Sequence, residues 1–280
     1  MAQRLLSAAV LLPLVVALAW WSPWSVAAAA IVATVIGLIE LYGAFRQGGY
    51  QPRLALGIGI GLTMILALSF QAILALDLIL PAITLAIVVS LIVEVLDYHE
   101  RGALTSWGLT LAGAVYLGWL FGHFVLLRSL HTPLRASIFT SLGIAPGTAW
   151  IFLIMAITWI QDTAAYFVGR NMGRHKMAPT LSPKKTWEGA AGGLIGSLVA
   201  GAICVPLLGL PISLLQGVLL GLVGAVVGPL GDLAESLIKR QVGLKDAGNL
   251  IPGHGGILDR ADSLLFTGSV LYYLILLLAR

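Results

Sequence analysis

Two stretches near the end of the chain place carboxylates beside lysine and arginine side chains, a combination suited to binding phosphates and a hard cation. The first stretch has polar residues at intervals of three, four, seven and eight positions: Asp232, Glu235, Ser236, Lys239 and Arg240. These intervals predict one polar face of a helix. We expect its carboxylates to bind a metal ion and its cations to bind phosphates. The alternative is a solvated face stabilised by ion pairs between successive turns.

The second stretch begins with Lys245 and Asp246 and, after a glycine-rich turn around His254, continues to Asp259, Arg260 and Asp262. Glycine lets the backbone approach a ligand closely. Asp259 and Asp262 are three residues apart, so they face the same way if the chain enters a helix there. Mg²⁺ is usually bound by one or two carboxylates together with substrate oxygens. The sequence therefore predicts a magnesium site that also binds phosphate.

A basic segment earlier in the chain offers a second place for phosphate groups. It contains Ser182, Lys184, Lys185 and Thr186, with Pro183 at a position typical of the first turn of a helix. Two ammonium groups and two hydroxyls at a helix start predict a phosphate-binding site. The alternatives are a loop that only marks the cytoplasmic side, or a patch that contacts anionic lipid headgroups.

A further acidic residue, Asp162, lies within an apolar run and shares one helix face with Tyr166 and Arg170, since the three are spaced by four residues. A carboxylate at the centre of a membrane-spanning helix costs about 2.5–3.5 kcal/mol on insertion scales, and less near the interface. We therefore expect Asp162 to face a polar cavity or an ion. A structural Asp–Arg pair that only orients helices is the alternative.

Other chemistries lack their sequence patterns. No pair of His or Cys residues has zinc-ligand spacing, and a single cysteine, Cys204, excludes a disulfide within the chain. There is no G-x-S-x-G, Walker A or dinucleotide-binding motif. The net charge of +4 comes without a basic stripe, so we expect no nucleic-acid partner.

The elements that must position these residues are membrane helices. The 280 residues are 59% hydrophobic and 10% charged, whereas soluble domains carry about 25% charged residues. Continuous apolar runs predict an all-α fold, a polytopic transmembrane helical bundle of about nine spans. The predicted spans are 5–21, 24–43, 54–72, 75–96, 107–127, 149–168, 190–208, 212–230 and 263–279.

The distribution of positive charge predicts a cytoplasmic N-terminus. With that orientation, 13 of the 16 Lys and Arg residues lie on the cytoplasmic side, leaving only Arg128, Arg135 and Arg280 outside. The basic segment and both acidic stretches then lie at the cytoplasmic face. The first apolar run has the length of an uncleaved helix, and a cleaved signal peptide is the alternative.

The polar residues divide the chain near residue 148. Seven of the twelve acidic residues lie between Asp162 and Asp262. The other five, which we interpret as interfacial polar residues, are Glu40, Asp77, Glu94, Asp97 and Glu100. We predict an N-terminal transmembrane scaffold of about five spans over 1–148 and a C-terminal catalytic transmembrane region over 149–280.

The motifs, in this order, resemble those of the CTP:phosphatidate cytidylyltransferase family, also called CDP-diacylglycerol synthases. The family signature has Ser before Lys-Arg, then Lys-Asp, His-Gly-Gly and Asp-Arg-x-Asp. It corresponds to the 27 residues from Ser236 to Asp262. The stretches Asp162–Tyr166 and Ser182–Gly189 match as well. Strong resemblance covers residues 158–268, and the earlier spans resemble the family only in hydropathy and layout.

This resemblance implies the reaction CTP + phosphatidate → CDP-diacylglycerol + pyrophosphate. It also implies a Mg²⁺-dependent site with a potassium ion (K⁺) nearby, and a homodimer. Ala261 departs from the larger residue usual in the family, which we expect to alter packing and leave the chemistry intact. A compact chain without a targeting extension favours a bacterial inner membrane.

The residues present suit such a reaction. A phosphate monoester has a second pKa of about 6, so it is ionised near neutral pH and needs no strong base. Positioning and charge neutralisation then carry catalysis. The catalytic residues predicted are Asp232, Asp259, Lys239, Arg240, Lys245 and His254. The substrate-binding residues predicted are Ser182, Lys184, Lys185, Thr186, Ser236 and Arg260. The metal ligands predicted are Asp232 and Asp259, with further ligands or supporting partners among Asp162, Glu235, Asp246 and Asp262. His254 either positions pyrophosphate or relays a proton.

Other classes of membrane protein remain as alternatives. A transporter for phosphorylated solutes would also place charges within a helical bundle, but usually near the midplane and with inverted repeats. A CTP-dependent lipid kinase shares the nucleotide, the metal and the membrane, but needs a base for its hydroxyl substrate. A purely structural membrane protein has little reason to place six carboxylates beside six cations.

Overall fold

The computed structural model describes residues 2–98, 102–245, 248 and 255–279, and it describes side chains from residue 11 onward. Within these ranges the chain forms ten helices and one β-hairpin. In chain order they are α1 (Ala2–Trp21), α2 (Pro23–Gln47), α3 (Leu54–Leu74), α4 (Ile79–Leu96), α5 (Ala103–Arg128), α6 (Ile138–Ser141), α7 (Pro146–Met172), β1 (Lys176–Ala178), β2 (Ser182–Thr186), α8 (Trp187–Leu208), α9 (Leu214–Gln241) and α10 (Leu258–Leu278).

The helices agree with the predicted membrane spans. In the described part of the chain, eight helices are long and apolar enough to cross a membrane, namely all except α1 and α6. Helix α1 coincides with the first predicted span, 5–21, and its side chains are described over Leu11–Trp21. Leu80, Val95 and Leu96 of α4 are exposed, as lipid-facing side chains are. The all-α membrane fold is thus confirmed, whereas the cytoplasmic N-terminus stays a prediction.

The segment between α7 and α8 corrects one expectation. The prediction of a helix that opens at Pro183 is wrong, because Ser182–Thr186 is strand β2 and pairs antiparallel with β1. Both strands of a two-stranded sheet have an open edge, so a residue without an N–H is tolerated there.

Helix α8 begins four residues later, at Trp187. The hydroxyl of Thr186 caps it by accepting a 3.1 Å hydrogen bond from Gly189 N. The basic segment is therefore an extended strand that leads into a capped helix, and successive side chains of β2 point to opposite sides.

Packing divides the chain into two units that do not follow chain order. Unit one comprises Met1–Leu126 and Ile238–Arg260, and unit two comprises Leu127–Leu237 and Ala261–Arg280. The C-terminal end of α9 and the first residues of α10 thus pack with the N-terminal helices. The division into a scaffold and a catalytic region at residue 148 concerns function, and it stays a prediction.

In unit one, Tyr42 of α2 occupies space that glycines leave on α3 and α5. A Cβ atom added to Gly57 or Gly113 would lie 2.3 or 2.4 Å from the Tyr42 ring. The phenol also donates a 2.5 Å hydrogen bond to the carbonyl oxygen of Thr110 on α5. Small residues at these contacts let helices approach closely. In lipid, helices associate through such close packing, because the hydrophobic effect does not drive them together.

An ion-pair cluster joins the start of α3 to the end of α4 in unit one. Arg53 Nε lies 2.6 Å from Glu94 Oε1, and another guanidinium nitrogen pairs with Asp97. The hydrogen bonds to Glu94, and then those to Asp97, raise the pKa of Arg53 above its ordinary value. Ser106 of α5 adds a 3.3 Å hydrogen bond to Glu94. Glu94 and Asp97 therefore have a structural partner in Arg53, and their interfacial position stays a prediction.

In unit two, glycines let α8 approach both of its neighbours. A Cβ atom on Gly189 would lie 2.9 Å from the carbonyl oxygen of Ala165 on α7. One on Gly201 would lie 2.1 Å from the carbonyl oxygen of Gly217 on α9. These separations leave no room for a side chain, so α7, α8 and α9 are held at a distance that only glycine permits.

A proline inside α9 is matched by an amide on α7. Pro229 has no N–H, so the carbonyl of Ala225, four residues earlier, has no helical donor. Gln161 Nε2 donates to that carbonyl at 2.9 Å, and Gln161 is buried. The hydrogen bond satisfies a backbone acceptor that apolar surroundings would otherwise leave unpaired.

Candidate active site

The polar face predicted for residues 232–240 lies on the last turns of α9 and is largely buried. Glu235 is 2% exposed, and Ser236 and Lys239 are also buried. Leu237, on the opposite face, is 48% exposed. A solvated face would have the reverse arrangement, so that alternative does not describe α9. Charged residues are almost never fully buried unless they are paired, so the buried charges of α9 are expected to have partners.

In unit two, Lys185 of the hairpin pairs with Asp232 of α9. Lys185 Nζ lies 2.8 Å from Asp232 Oδ2 and donates a further 3.2 Å hydrogen bond to the carbonyl oxygen of Pro229. Ser236 donates to Asp232 Oδ1 at 3.3 Å. Two stretches that the sequence predicts to bind phosphate are thus in direct contact. Both partners remain partly exposed, so solvent and ligands can reach the pair.

In unit one, Lys239 of α9 pairs with Asp259 of α10. Lys239 Nζ donates to Asp259 Oδ1 at 2.6 Å, and the two side chains are only 11% and 9% exposed. This is a buried ion pair, whose charges are weakly screened by solvent. It joins the first predicted polar stretch to the second.

The backbone before α10 holds the other oxygen of Asp259. Gly256 N donates to Asp259 Oδ2 at 2.9 Å. Gly255 has φ +84°, a conformation that favours glycine, and a Cβ atom there would lie 2.8 Å from Asp259 Oδ2. Gly256 thus supplies a hydrogen bond to Asp259, and Gly255 supplies a turn that no other residue makes without strain.

Glu40 of α2 meets the same turn and was not among the predicted site residues. Ile257 N donates to Glu40 Oε1 at 3.1 Å, and Leu258 N donates to Glu40 Oε2 at 3.2 Å. Both contacts lie within unit one. The available signal was a carboxylate inside an apolar span, which usually has a functional partner. Its position near a predicted span end suggested an interfacial residue instead.

The remaining predicted residues are placed differently. Asp162, Lys184, Lys245 and Arg260 are exposed. Arg240 is exposed too, and its Nη1 donates to the carbonyl oxygen of Leu244 at 2.9 Å. Asp262 Oδ1 accepts a 2.6 Å hydrogen bond from Ser263 N. Asp246 and His254 lie outside the described residues.

The carboxylates suit Mg²⁺ in type, although they are not gathered into a cage. Among the residues that the structure describes, no group of three or more His, Cys, Asp or Glu side chains is placed to hold a metal ion. Mg²⁺ does not require such a group, because it takes one or two carboxylates and completes its octahedron with water and substrate phosphates. Asp232 and Asp259 offer such oxygens, and the predicted ligand set stays a prediction.

The fold and the site define an integral membrane protein with two lysine–carboxylate pairs, one between β2 and α9 and one between α9 and α10. The model of the cytidylyltransferase family matches residues 2–278. The chain belongs to this family, as the motif resemblance predicts.

Individual relatives agree with this assignment. The chain is 33% identical over 289 aligned residues to a phosphatidate cytidylyltransferase of Synechocystis, an alignment that covers 99% of this chain and 97% of the relative. It is 42% identical over 169 residues to one of Bacillus subtilis, covering 60% of this chain and 58% of the relative. It is 41% identical over 180 residues to one of Brucella suis, covering 62% and 66%.

Proposed function

We propose that this protein is a phosphatidate cytidylyltransferase, which makes CDP-diacylglycerol and pyrophosphate from CTP and phosphatidate. The observation that carries this proposal is the similarity to the Synechocystis phosphatidate cytidylyltransferase, which covers 97% of that protein. The buried charges of α9 and α10 fit a reaction among phosphates. The relatives are bacterial, which supports a place in a bacterial inner membrane.

The chemistry needs little from a general base. A phosphate oxygen of phosphatidate attacks the α-phosphorus of CTP, forming a new P–O–P bridge. The bond from the α-phosphorus to the oxygen that bridges to the β-phosphate breaks, and pyrophosphate leaves with that oxygen. The attacking oxygen is already ionised near neutral pH, since the second pKa of a phosphate monoester is about 6. The work of the protein is therefore to bring two polyanions together.

The two lysine–carboxylate pairs provide the charges for that work. Lys185 contacts Asp232 and Lys239 contacts Asp259 in the resting protein. A bound phosphate offers each ammonium a further anionic partner, since an ammonium has three donors. We assign these lysines to the triphosphate and the lipid phosphate, with the other cations and hydroxyls as further donors: Lys184, Arg240, Lys245, Arg260, Ser182, Thr186 and Ser236.

Asp232 and Asp259 are the carboxylates we assign to Mg²⁺. The ion, when bound, would neutralise phosphate charge and make the α-phosphorus more electrophilic. The protein residues keep the carboxylate oxygens oriented, because each carboxylate already accepts hydrogen bonds from a lysine and from Ser236 or Gly256. Asp162, Glu235, Asp246 and Asp262 are assigned as further ligands or as partners of these two.

The lipid substrate sets where the reaction takes place. Its two acyl chains remain in the bilayer while its phosphate meets the water-soluble nucleotide, so the site must open towards lipid. We place it at the cytoplasmic face, on the positive-inside distribution of Lys and Arg. A homodimer is proposed from the family resemblance alone, and the mass of the protein in detergent micelles tests it.

The assay that tests the function measures pyrophosphate released from CTP by the purified protein in detergent micelles. Release that requires both phosphatidate and Mg²⁺, with CDP-diacylglycerol in the organic phase, is the expected result. Release of CDP instead would identify a lipid kinase and overturn the proposal. Chelation of Mg²⁺ with EDTA should abolish turnover, and exchange of K⁺ for Na⁺ in the same assay tests the proposed potassium ion.

A further inference from the structure

We propose that Glu40 is a positioning residue for the reaction: its carboxylate holds the first turn of α10 and thereby orients Asp259 towards Lys239. The inference rests on the proposed function, but the contact itself can be tested without turnover. Glu40 lies in α2, within the half of the chain that the sequence assigns to a scaffold.

Two carboxylates share the three consecutive N–H groups that lead into the first turn of α10. Gly256 N donates to Asp259, and Ile257 N and Leu258 N donate to the two oxygens of Glu40. The first N–H groups of a helix have no partner within the helix, so these donors need acceptors from outside. Glu40 supplies two of them at once, which defines both the position and the direction of the first turn.

Glycines make this close approach possible on both sides of Glu40. A Cβ atom on Gly256 would lie 2.4 Å from Glu40 Oε2, and one on Gly248 would lie 2.7 Å from Glu40 Oε1. These two residues lie on either side of the segment that contains His254. Glu40 is therefore in contact with the chain both before and after that segment.

Helix α2 presents a matched surface for this contact. Gly37, one turn before Glu40, faces α10: a Cβ atom there would lie 3.3 Å from a methyl group of Leu258. Directly after α2, a Cβ atom on Gly48 would lie 2.7 Å from the side chain of Val242, the residue that follows α9. The start of α10 thus packs on α2, and the residue that follows α9 packs on the C-cap of α2.

The link from Glu40 to the chemistry runs through one turn of helix. Asp259 follows Leu258 directly, and its Oδ1 contacts Lys239 at 2.6 Å. If the carboxylate of Glu40 is lost, Ile257 N and Leu258 N lose their acceptors and the first turn can shift. A displacement of about 1 Å at a reacting group can cost about 100-fold in rate. The expected effect is therefore on kcat, because substrate contacts made elsewhere remain.

The test compares Glu40→Gln with Asp77→Asn. Gln has nearly the shape of Glu but offers one oxygen and one NH₂ group, so one backbone N–H would face a donor. Asp77 is a matched control, because it also accepts a backbone N–H at a helix start, from Ile79 N at 3.4 Å, but on α4. Glu40→Gln should lower kcat about tenfold or more, with KM for CTP changed less than twofold and the thermal midpoint close to wild type. Asp77→Asn should leave kcat unchanged.

A second pair of variants tests the contact between Glu40 and Gly256. Gly256→Ala should displace the Glu40 carboxylate and lower kcat in the same way. Combining it with Glu40→Ala removes the clash, so the loss in the double variant should be smaller than the product of the two single losses. Independent, multiplicative losses would contradict a shared role.

The rate of hydrogen exchange in the peptide that contains Ile257 and Leu258 tests whether these two N–H groups bind Glu40 in the resting protein. This test does not depend on which reaction the protein carries out. Faster exchange in Glu40→Gln than in wild type supports the proposal, and unchanged exchange overturns it. In the assay, kcat and the thermal midpoint falling together, with kcat restored on cooling, would show a purely stabilising role and also overturn it. A wild-type protein that releases no pyrophosphate refutes the proposed function separately.

Discussion

The buried pair between Lys239 and Asp259 predicts a strong energetic coupling. In Lys239→Met, the Asp259 carboxylate, 9% exposed in the wild type, loses the Lys239 ammonium. Removing one partner of a buried ion pair costs about 3–5 kcal/mol, because the remaining charge is uncompensated. Gly256 N still donates to Asp259, so we expect the lower end, about 3 kcal/mol, for this variant. Asp259→Asn leaves a buried ammonium with a neutral partner and should cost a similar amount.

Replacing both partners should restore stability without restoring function. Apolar residues of similar volume in place of a buried pair are often neutral or stabilising. The double variant Lys239→Met/Asp259→Leu should therefore be more stable than the sum of its single variants by about 2 kcal/mol or more. It should release no pyrophosphate, because both charges assigned to the phosphates and the metal are absent. Asp259→Asn alone should also abolish turnover while leaving membrane insertion intact.

The measurement is a double-mutant cycle on the free energy of unfolding in mixed detergent micelles, for wild type, Lys239→Met, Asp259→Leu and the double variant. Pyrophosphate release is measured on the same preparations. Additive losses, with a coupling below about 0.5 kcal/mol, would refute the view that these two charges meet in a buried site. Near-normal turnover in Asp259→Asn would refute its assignment as a metal ligand.

Three further predictions use matched variants. Lys185→Met should lower kcat/KM about tenfold or more. Its stability loss should stay below about 1 kcal/mol, since the Lys185–Asp232 pair is partly exposed. Lys184→Met, at the exposed neighbouring position, should act mainly on KM in the same pyrophosphate assay. Thr186→Val should destabilise the protein by about 1 kcal/mol through loss of the α8 cap, and replacement by Ser should not. Gly201→Ala should cost about 1–3 kcal/mol in unfolding experiments, because its Cβ would meet backbone at 2.1 Å, whereas Gly43→Ala has open space and should be tolerated.

The membrane helices were predictable from the sequence because lipid imposes one simple condition. A spanning segment must be apolar and must satisfy its own backbone hydrogen bonds. Every predicted span coincides with a helix, and the polar residues from Asp232 to Arg240 lie on the single helix α9. The family was also predictable, because its motifs combine unusual residues at fixed separations.

The contacts within the site were not predictable in the same way. Nothing local in the sequence says that Lys185 meets Asp232, or that Glu40 meets the start of α10, because these residues are far apart in the chain. The strand at Pro183 was missed for a related reason. Its local preference for a helix start is real, but pairing with Lys176–Ala178 overrides it. Long-range partners decide such cases, and one sequence does not reveal them.

The hydrogen bond from Gln161 to Ala225 has a consequence for how related sequences can diverge. The amide serves a carbonyl that is unpaired only because residue 229 is proline. A relative with another residue at 229 regains the N–H for that carbonyl, and position 161 becomes free to lose its amide. The reverse order of change is costly, because loss of the amide before the proline leaves a buried acceptor unmet. Substitution at 229 should therefore precede substitution at 161 in any lineage where both have changed.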